Sequence, residues 1–271
     1  MRALALPQQI DVTAAAGFRR LSVTPADIGA WTASGGALRE LLARAADANV
    51  ALSHLDPLAT WPRSWRPAAT DPTTANIEYF DTPPRAFLDL AVEIGASSIT
   101  AMTIAPQGSI GIEELTEDFA ALCDDAAELG IVVELEFIPL DWAIPDLASA
   151  WEIVSGADRS NSGIVFDFWH FMHSGSSLEM LRTVPGDRIT SVQLADASLS
   201  LQTGSWFDDC LEMRLPLGMG EFPVQEILDT LAVIDGLHKV GPEYFSSAND
   251  SLEAEALRDI LANSTRELFG A

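Results

Sequence analysis

One short phrase recurs along the chain: an Ala-rich segment of helical period ends at Gly or Asn, and an apolar run follows at once. It reads TAAAG-FRRLSV (turning at Gly17), ARAADAN-VALSHL (Asn49), LAVEIG-ASSITAM (Gly95) and DDAAELG-IVVELEF (Gly130). Gly and Asn accept the left-handed backbone that closes a helix, so each phrase predicts a helix turning directly into a strand. The clearest helix is GIEELTEDFAALCDDAAELG. Its apolar positions Ile112, Leu115, Phe119, Leu122, Ala126 and Leu129 fall three or four apart and form one buried stripe. Glu113, Glu114, Asp118, Asp125 and Glu128 are expected on its solvated outer face.

Strands are predicted near Arg19–Val23, Val50–Leu55, Ser98–Ile104, Val132–Phe137, Gly163–Phe168, Thr190–Ala195 and Pro242–Ser246. Helical patterns cover Ile10–Ala16, Leu38–Ala48, Arg85–Ile94, Leu147–Val154, Leu178–Thr183, Val224–Val233 and Leu252–Leu268. Such alternation implies an α/β fold with a parallel sheet. Polar residues recur near strand C-termini: His54, Glu136, Asp167, Gln193 and Glu243. A barrel gathers all its strand ends on one face, whereas an open sheet gathers only those at its switch point. No GxGxxG or P-loop follows a strand, and LGMGE (Leu217–Glu221) is only a weak loop signal. The expectation is a single domain, residues 1–271, folded as a (β/α)8 TIM barrel. Its first strand is either a stunted one at Ala3–Leu6 or missing. Two long connections, Ala59–Ile77 and Ser198–Phe222, are expected to overhang the mouth.

Composition narrows the class without naming an activity. The 271 residues carry 40 Asp+Glu against 15 Lys+Arg, a formal charge of −25, with 48% hydrophobic residues and a mean hydropathy of +0.17. Disorder needs low hydrophobicity together with high charge. Nucleic-acid and anionic-lipid partners need a basic surface. No apolar run reaches the roughly 18 residues of a membrane span. MRALALPQQIDV is a poor secretory signal, and Cys123 and Cys210 form no disulfide framework. A cytoplasmic protein is the expectation.

The strand-end acids carry the chemistry. In IVVELEF, alternation puts Glu134 and Glu136 on one face, pointing inward, with Glu136 nearer the rim. A buried carboxylate needs a partner, a hydrogen bond or a metal. Asp167 closes an apolar run three residues before His170, as a ligand or as a capping carboxylate. Gln193 ends the next strand as a ligand or a core hydrogen-bonding residue, and Glu243 follows on the last. Together Glu136, Asp167, Gln193 and Glu243 form a hard-oxygen set suited to one divalent ion. Mg²⁺ or Mn²⁺ is favoured, Zn²⁺ or Co²⁺ being the further options.

The segments LEFIP (Leu135–Pro139), GIVFDFWHFMHSG (Gly163–Gly175), VQLADA (Val192–Ala197), RLPLGMGEFP (Arg214–Pro223) and PEYFS (Pro242–Ser246) resemble the sugar phosphate isomerase/epimerase family. That is the xylose isomerase-like TIM-barrel superfamily, and the likeness extends upstream through AAAGFRRLSV and HLDPLATW. The resemblance implies metal ligands at Glu136, Asp167, Gln193 and Glu243, with His170 beside the substrate. Many members have HxxD where this chain has Gln193 to Asp196, and Gln at that position is similar to the 3-dehydroshikimate dehydratase branch. A homodimer is a family-level expectation.

The implied activity is isomerisation or epimerisation of a sugar or polyol-derived carbonyl compound, with Glu136 and Glu243 exchanging a proton at the α-carbon through a metal-stabilised enediolate. A dehydratase of the 3-dehydroshikimate or inosose type is the runner-up, with His170 as base or as acid to the departing hydroxyl. His54 and Arg214 are candidate clamps on the substrate, and Trp61, Phe137, Trp142 and Trp169 candidate pocket walls. A multi-zinc DNA-repair relative of the barrel conflicts with only four His and the charge of −25. A barrel retaining sugar binding without catalysis is the remaining alternative.

Overall fold

The structure, a computed structural model, describes residues 1–66 and 80–269, with the side chains of residues 264–269 excepted. Seven parallel strands, each paired with its sequence neighbour, curl into a barrel wall: β1 Arg20–Val23, β2 Ala51–Leu58, β3 Ser98–Ala101, β4 Val132–Glu136, β5 Ser162–Asp167, β6 Ile189–Leu194 and β7 Val240–Pro242. The principal crossover helices are α1 Leu6–Ala15, α2 Pro25–Ala33, α3 Leu38–Asp47, α4 Pro84–Ile94, α5 Ile112–Ala127, α6 Leu147–Ala157, α7 Phe168–His173, α8 Leu178–Leu181, α9 Trp206–Glu212, α10 Val224–Val233, α11 Ser247–Asp250 and α12 Ala254–Phe269. Every residue of β3 and of β5 is buried, as a parallel sheet sandwiched between side-chain core and helices requires.

The helix-closing phrase behaves as its sequence demands. Gly17, Gly95, Gly130 and Asn49 all have positive φ, between 54° and 92°. The sharp reversal at each lets the next strand start within a few residues.

Several expectations need correction. Ala3–Leu6 is no strand: α1 begins at Leu6, because Pro7 suits a helix's first turn and the Gln8 side chain accepts the Ala5 N–H at 3.2 Å. Seven strands therefore stand among the described residues where eight close a TIM barrel. Thr24 caps an additional helix, α2, accepting from the Asp27 N–H at 3.0 Å. The last strand lies at Val240–Pro242, just before Glu243, and the third stops at Ala101. Asp118 belongs to the buried stripe of α5, not its outer face. Its carboxylate accepts the Arg63 backbone N–H at 2.5 Å and pairs with the Arg63 guanidinium, pinning the loop after β2. Residues 67–77 of the expected first overhang lie outside the described residues.

The missing strand leaves a seam. Among the described residues β1 pairs only with β2, and β7 only with β6. Between them runs a cleft of about 550 Å³, lined by Leu21 and Ser22 on one side and Val240 and Gly241 on the other, reaching inward to Gln193 and Glu243. Arg2 closes one end of the neighbouring surface by pairing with Asp250 at 2.7 Å. Among the described residues no helix is long and apolar enough to cross a membrane.

Candidate active site

Period-two alternation stacks the inward residues in two tiers. In the lower tier the Glu134 carboxylate is fully buried. It accepts from Ser191 Oγ at 2.7 Å and Lys239 Nζ at 2.8 Å, and lies 3.5 Å from His54 Nδ1. Burial pushes the Glu134 carboxyl up, but His54 and Lys239 outweigh it and hold it below the usual carboxylate range. The ring nitrogens of His54 also meet Ser98 Oγ at 2.8 Å and Thr100 Oγ1 at 2.5 Å.

The upper tier forms the mouth. Glu136, Asp167 and His170 are buried and bring one potential ligand atom each within 4.8 Å of one another. Asp167 ends β5 and caps α7: its Oδ1 accepts the His170 N–H at 2.8 Å. Asp167 is thus a capping carboxylate, and the cap turns His170 back toward the carboxylates while leaving Oδ2 to other partners. Arg214 Nη1 donates to that Oδ2 and to Glu243 Oε2, at 2.6 Å each. Gln193 Nε2 donates to Glu243 Oε1 at 2.8 Å, which leaves Gln193 Oε1 buried without a hydrogen-bond partner. His170 Nδ1 is equally unpartnered, and its Nε2 stands 3.6 Å from Glu136 Oε1. Of the four expected ligands, Glu136 and Asp167 belong to this cluster with His170 as its third member, while Glu243 and Gln193 are tied to it through Arg214. Two carboxylates and an imidazole converging in a buried site can hold a divalent cation.

These groups are strongly perturbed. Burial pushes the Glu136 carboxyl well above its ordinary value, helped by the negative charges of Asp56, Glu243 and Asp167 and opposed by Arg214. Burial also pushes Glu243 well above the usual range, against the pull of Arg214. Asp167 feels the same burial, yet the Arg214 charge, joined by His170 where acid protonates it, prevails and holds it below the usual range. His170 and His173 are each lowered to about 4, chiefly by burial. Both imidazoles are neutral at pH 7.

Asp56 escaped the sequence reading. Burial, the first cause, raises its carboxyl, while a hydrogen bond with Thr100 works the other way. It lines the same cleft as Glu243 and Gln193. The available signal was its spacing of two from His54 on a strand, which puts both on one face.

The expected substrate contacts sort differently. His54 is engaged in the lower tier. The Arg214 side chain is held by Asp167, Glu243 and Cys210, with Nε donating to the Cys210 carbonyl at 2.9 Å. Trp169 lies under the Arg214 guanidinium, 5.7 Å from carbon to ring centre, and packs on His173 at 4.3 Å. Trp142 sits at the rim in a small apolar cluster with Met102 and Ile138, edge-on to Phe207. Trp61 donates to the Met102 carbonyl at 2.7 Å and meets Phe119 edge-on, and Phe137 is fully buried; both belong to the core.

Asp196 explains the glycine-rich loop. Its carboxylate accepts four backbone N–H groups, from Ala197 and Phe222 at Oδ1 and from Gly218 and Gly220 at Oδ2, at 2.9–3.0 Å. Antiparallel bridges Asp196–Leu215 and Met213–Ser246 wedge residues 213–215 between the ends of β6 and β7. That wedge is what delivers Arg214 into the upper tier.

Comparison with known proteins agrees with this architecture. The solved structure of an IolI protein with a bound zinc atom superposes with a TM-score of 0.81 at 20% identity, covering 97% of this chain and 92% of that one. A 3-dehydroshikimate dehydratase of Pseudomonas putida is 25% identical over 266 residues, 97% of this chain but 39% of that protein. An inosose isomerase of Bacillus licheniformis is 28% identical over 167 residues, 60% of this chain and 59% of that protein. The chain thus spans about two fifths of the first relative and three fifths of the second. Residues 10–263 match the family described as xylose isomerase-like TIM barrel, and the chain belongs to that family.

Proposed function

We propose that this chain is a divalent-metal-dependent isomerase or epimerase that moves a proton at the carbon beside the carbonyl of a small sugar- or polyol-derived compound. The observation that carries the reading is the upper tier, where Glu136, Asp167 and His170 converge beside Glu243 and the unpartnered Oε1 of Gln193. Glu136, Asp167, Gln193 Oε1 and Glu243 are the ligands, with Mg²⁺ or Mn²⁺ favoured by an all-oxygen set. When bound, the ion supplies a Lewis acid that polarises the carbonyl and its neighbouring hydroxyl.

The chain's own groups then handle protons. Glu136 ends β4 and Glu243 follows β7, three strands along the wall, so one removes the α-proton and the other returns it. His170, neutral and with a free Nδ1, accepts or donates a proton within the same enclosure. Trp169 and Trp142 exclude water from the inner and outer walls. Residues 1–271 act as one domain in this reading.

Dehydration is the second reading, favoured by 25% identity to the Pseudomonas dehydratase over 97% of this chain, a stretch that is 39% of that protein. In that reading His170 removes the α-proton, becomes imidazolium and passes the same proton to the β-hydroxyl, which leaves as water as the C–O bond breaks and the enone forms. The deciding experiment combines metal analysis of purified protein with deuterium incorporation from D₂O, assayed across ketoses, inososes and 3-dehydroshikimate. Exchange or product with one class assigns the substrate. Absence of exchange across all three, or full turnover by Glu136→Gln, refutes the proton-transfer assignment.

A further inference from the structure

The Arg214 guanidinium is the one buried cation in the upper tier among the described residues, and it does not face open space. Its Nη1 lies 2.6 Å from Asp167 Oδ2 and 2.6 Å from Glu243 Oε2, between two carboxylates that the reading above makes ligands. Each carboxylate has a second, independent anchor on its other oxygen: His170 N–H on Asp167 Oδ1 and Gln193 Nε2 on Glu243 Oε1, both at 2.8 Å. Those anchors orient the two remaining oxygens toward one point, and Nη1 holds that point. The guanidinium is itself held by the Cys210 carbonyl and by the faces of Trp169 and Phe245, 5.7 and 5.1 Å away, on the wedge clamped by Asp196.

We propose that Arg214 is the built-in counter-cation of the carboxylate ring: a divalent ion enters by taking Asp167 Oδ2 and Glu243 Oε2 from the guanidinium, and Arg214 thereby sets how tightly the site holds metal. This rests on the metal reading above. Two cations cannot share one pair of oxygens at full strength, because like charges a few ångströms apart in a poorly screened interior repel. The carboxylates need a positive partner in either case, since an uncompensated buried charge is strongly destabilising. Arg214 therefore weakens metal binding while protecting the fold.

The test compares Mn²⁺ binding by calorimetry, and melting temperature with and without Mn²⁺, for the wild-type chain, Arg214→Met and Arg214→Lys. Removing the guanidinium in Arg214→Met tightens Mn²⁺ binding by about tenfold or more, from loss of a nearby unit charge. The same variant melts lower than wild type without metal and gains more from Mn²⁺. Arg214→Lys keeps the charge and stays within a few-fold of wild type. Should Arg214→Met fail to fold, the wild-type chain still answers: titration with Mg²⁺ must shift the ¹⁵Nε resonance of Arg214, and an unmoved resonance at saturating Mg²⁺ overturns the proposal. Equal or weaker Mn²⁺ binding by Arg214→Met overturns it while leaving the metal reading standing. Binding by neither protein overturns both, and binding by Arg214→Met alone supports the competition directly.

Discussion

Replacing Asp196 by Asn changes no volume and yet inverts half of a hydrogen-bonding nest. The carboxylate accepts two backbone N–H groups on each oxygen. An amide has one acceptor oxygen, so either pair of donors must face an NH₂ group that cannot accept. The cheaper orientation aims the amide nitrogen at Gly218 and Gly220, whose hydrogen bonds to Asp196 are only partly buried. Each stranded donor costs about 1–3 kcal/mol when buried, and water offsets part of this, giving about 2–4 kcal/mol in all. For a chain of this size that corresponds to a fall in melting temperature on the order of 5–10 °C. Urea unfolding followed by circular dichroism measures it, with the m-value held as a control. Because residues 213–215 are bridged to this loop and to Ser246, the variant should also lose turnover more than substrate affinity. A shift below about 0.5 kcal/mol, the size of an inert surface change, would refute the account of the nest.

Lys239→Met removes one partner of fully buried Glu134 and leaves it with Ser191 and His54; an expected loss of about 2–3 kcal/mol, below the full cost of breaking a buried pair because Lys239 is half-buried, is read from chemical denaturation. Adding Glu134→Gln should recover part of it, and an additive double variant would deny the coupling. The raised carboxyl of Glu136 fixes the sign of a pH effect in chelated protein. Its stabilising contribution is complete below the ordinary carboxylate pKa and is lost as pH rises through the folded value. Since Gln mimics the protonated acid, the melting temperature of Glu136→Gln minus that of wild type, measured in EDTA, should increase from pH 4 to pH 8. A difference that stays flat or falls contradicts the burial argument.

Periodicity carries the fold because burial in a β/α barrel is periodic. The helix-closing Gly17, Asn49, Gly95 and Gly130 mark element ends, and a period of two puts Glu134 and Glu136 inward together. Asp167 and His170 are legible for a related reason, since a cap and its third residue are local. What escapes is set by neighbours distant in sequence. Asp118 looks solvated until Arg63, fifty-five positions earlier, covers it. The partners of His54 and Arg214, namely Thr100 for the one and Asp167 and Glu243 for the other, likewise come from positions far along the chain. Nothing in MRALAL distinguishes a short strand from a helix start, and Pro7, which follows it, is tolerated both at a strand edge and in a helix's first turn.

The seam gives the site a mechanical asymmetry. A closed barrel shares any local strain around its ring, but among the described residues this wall has two loose ends. One of them is a three-residue strand that hangs from a single neighbour and bears Glu243 just beyond its tip. Glu136 and Asp167 stand on strands flanked on both sides. Whatever cation joins Glu243 to Asp167, whether guanidinium or metal, therefore staples the fraying end of the sheet to its rigid middle.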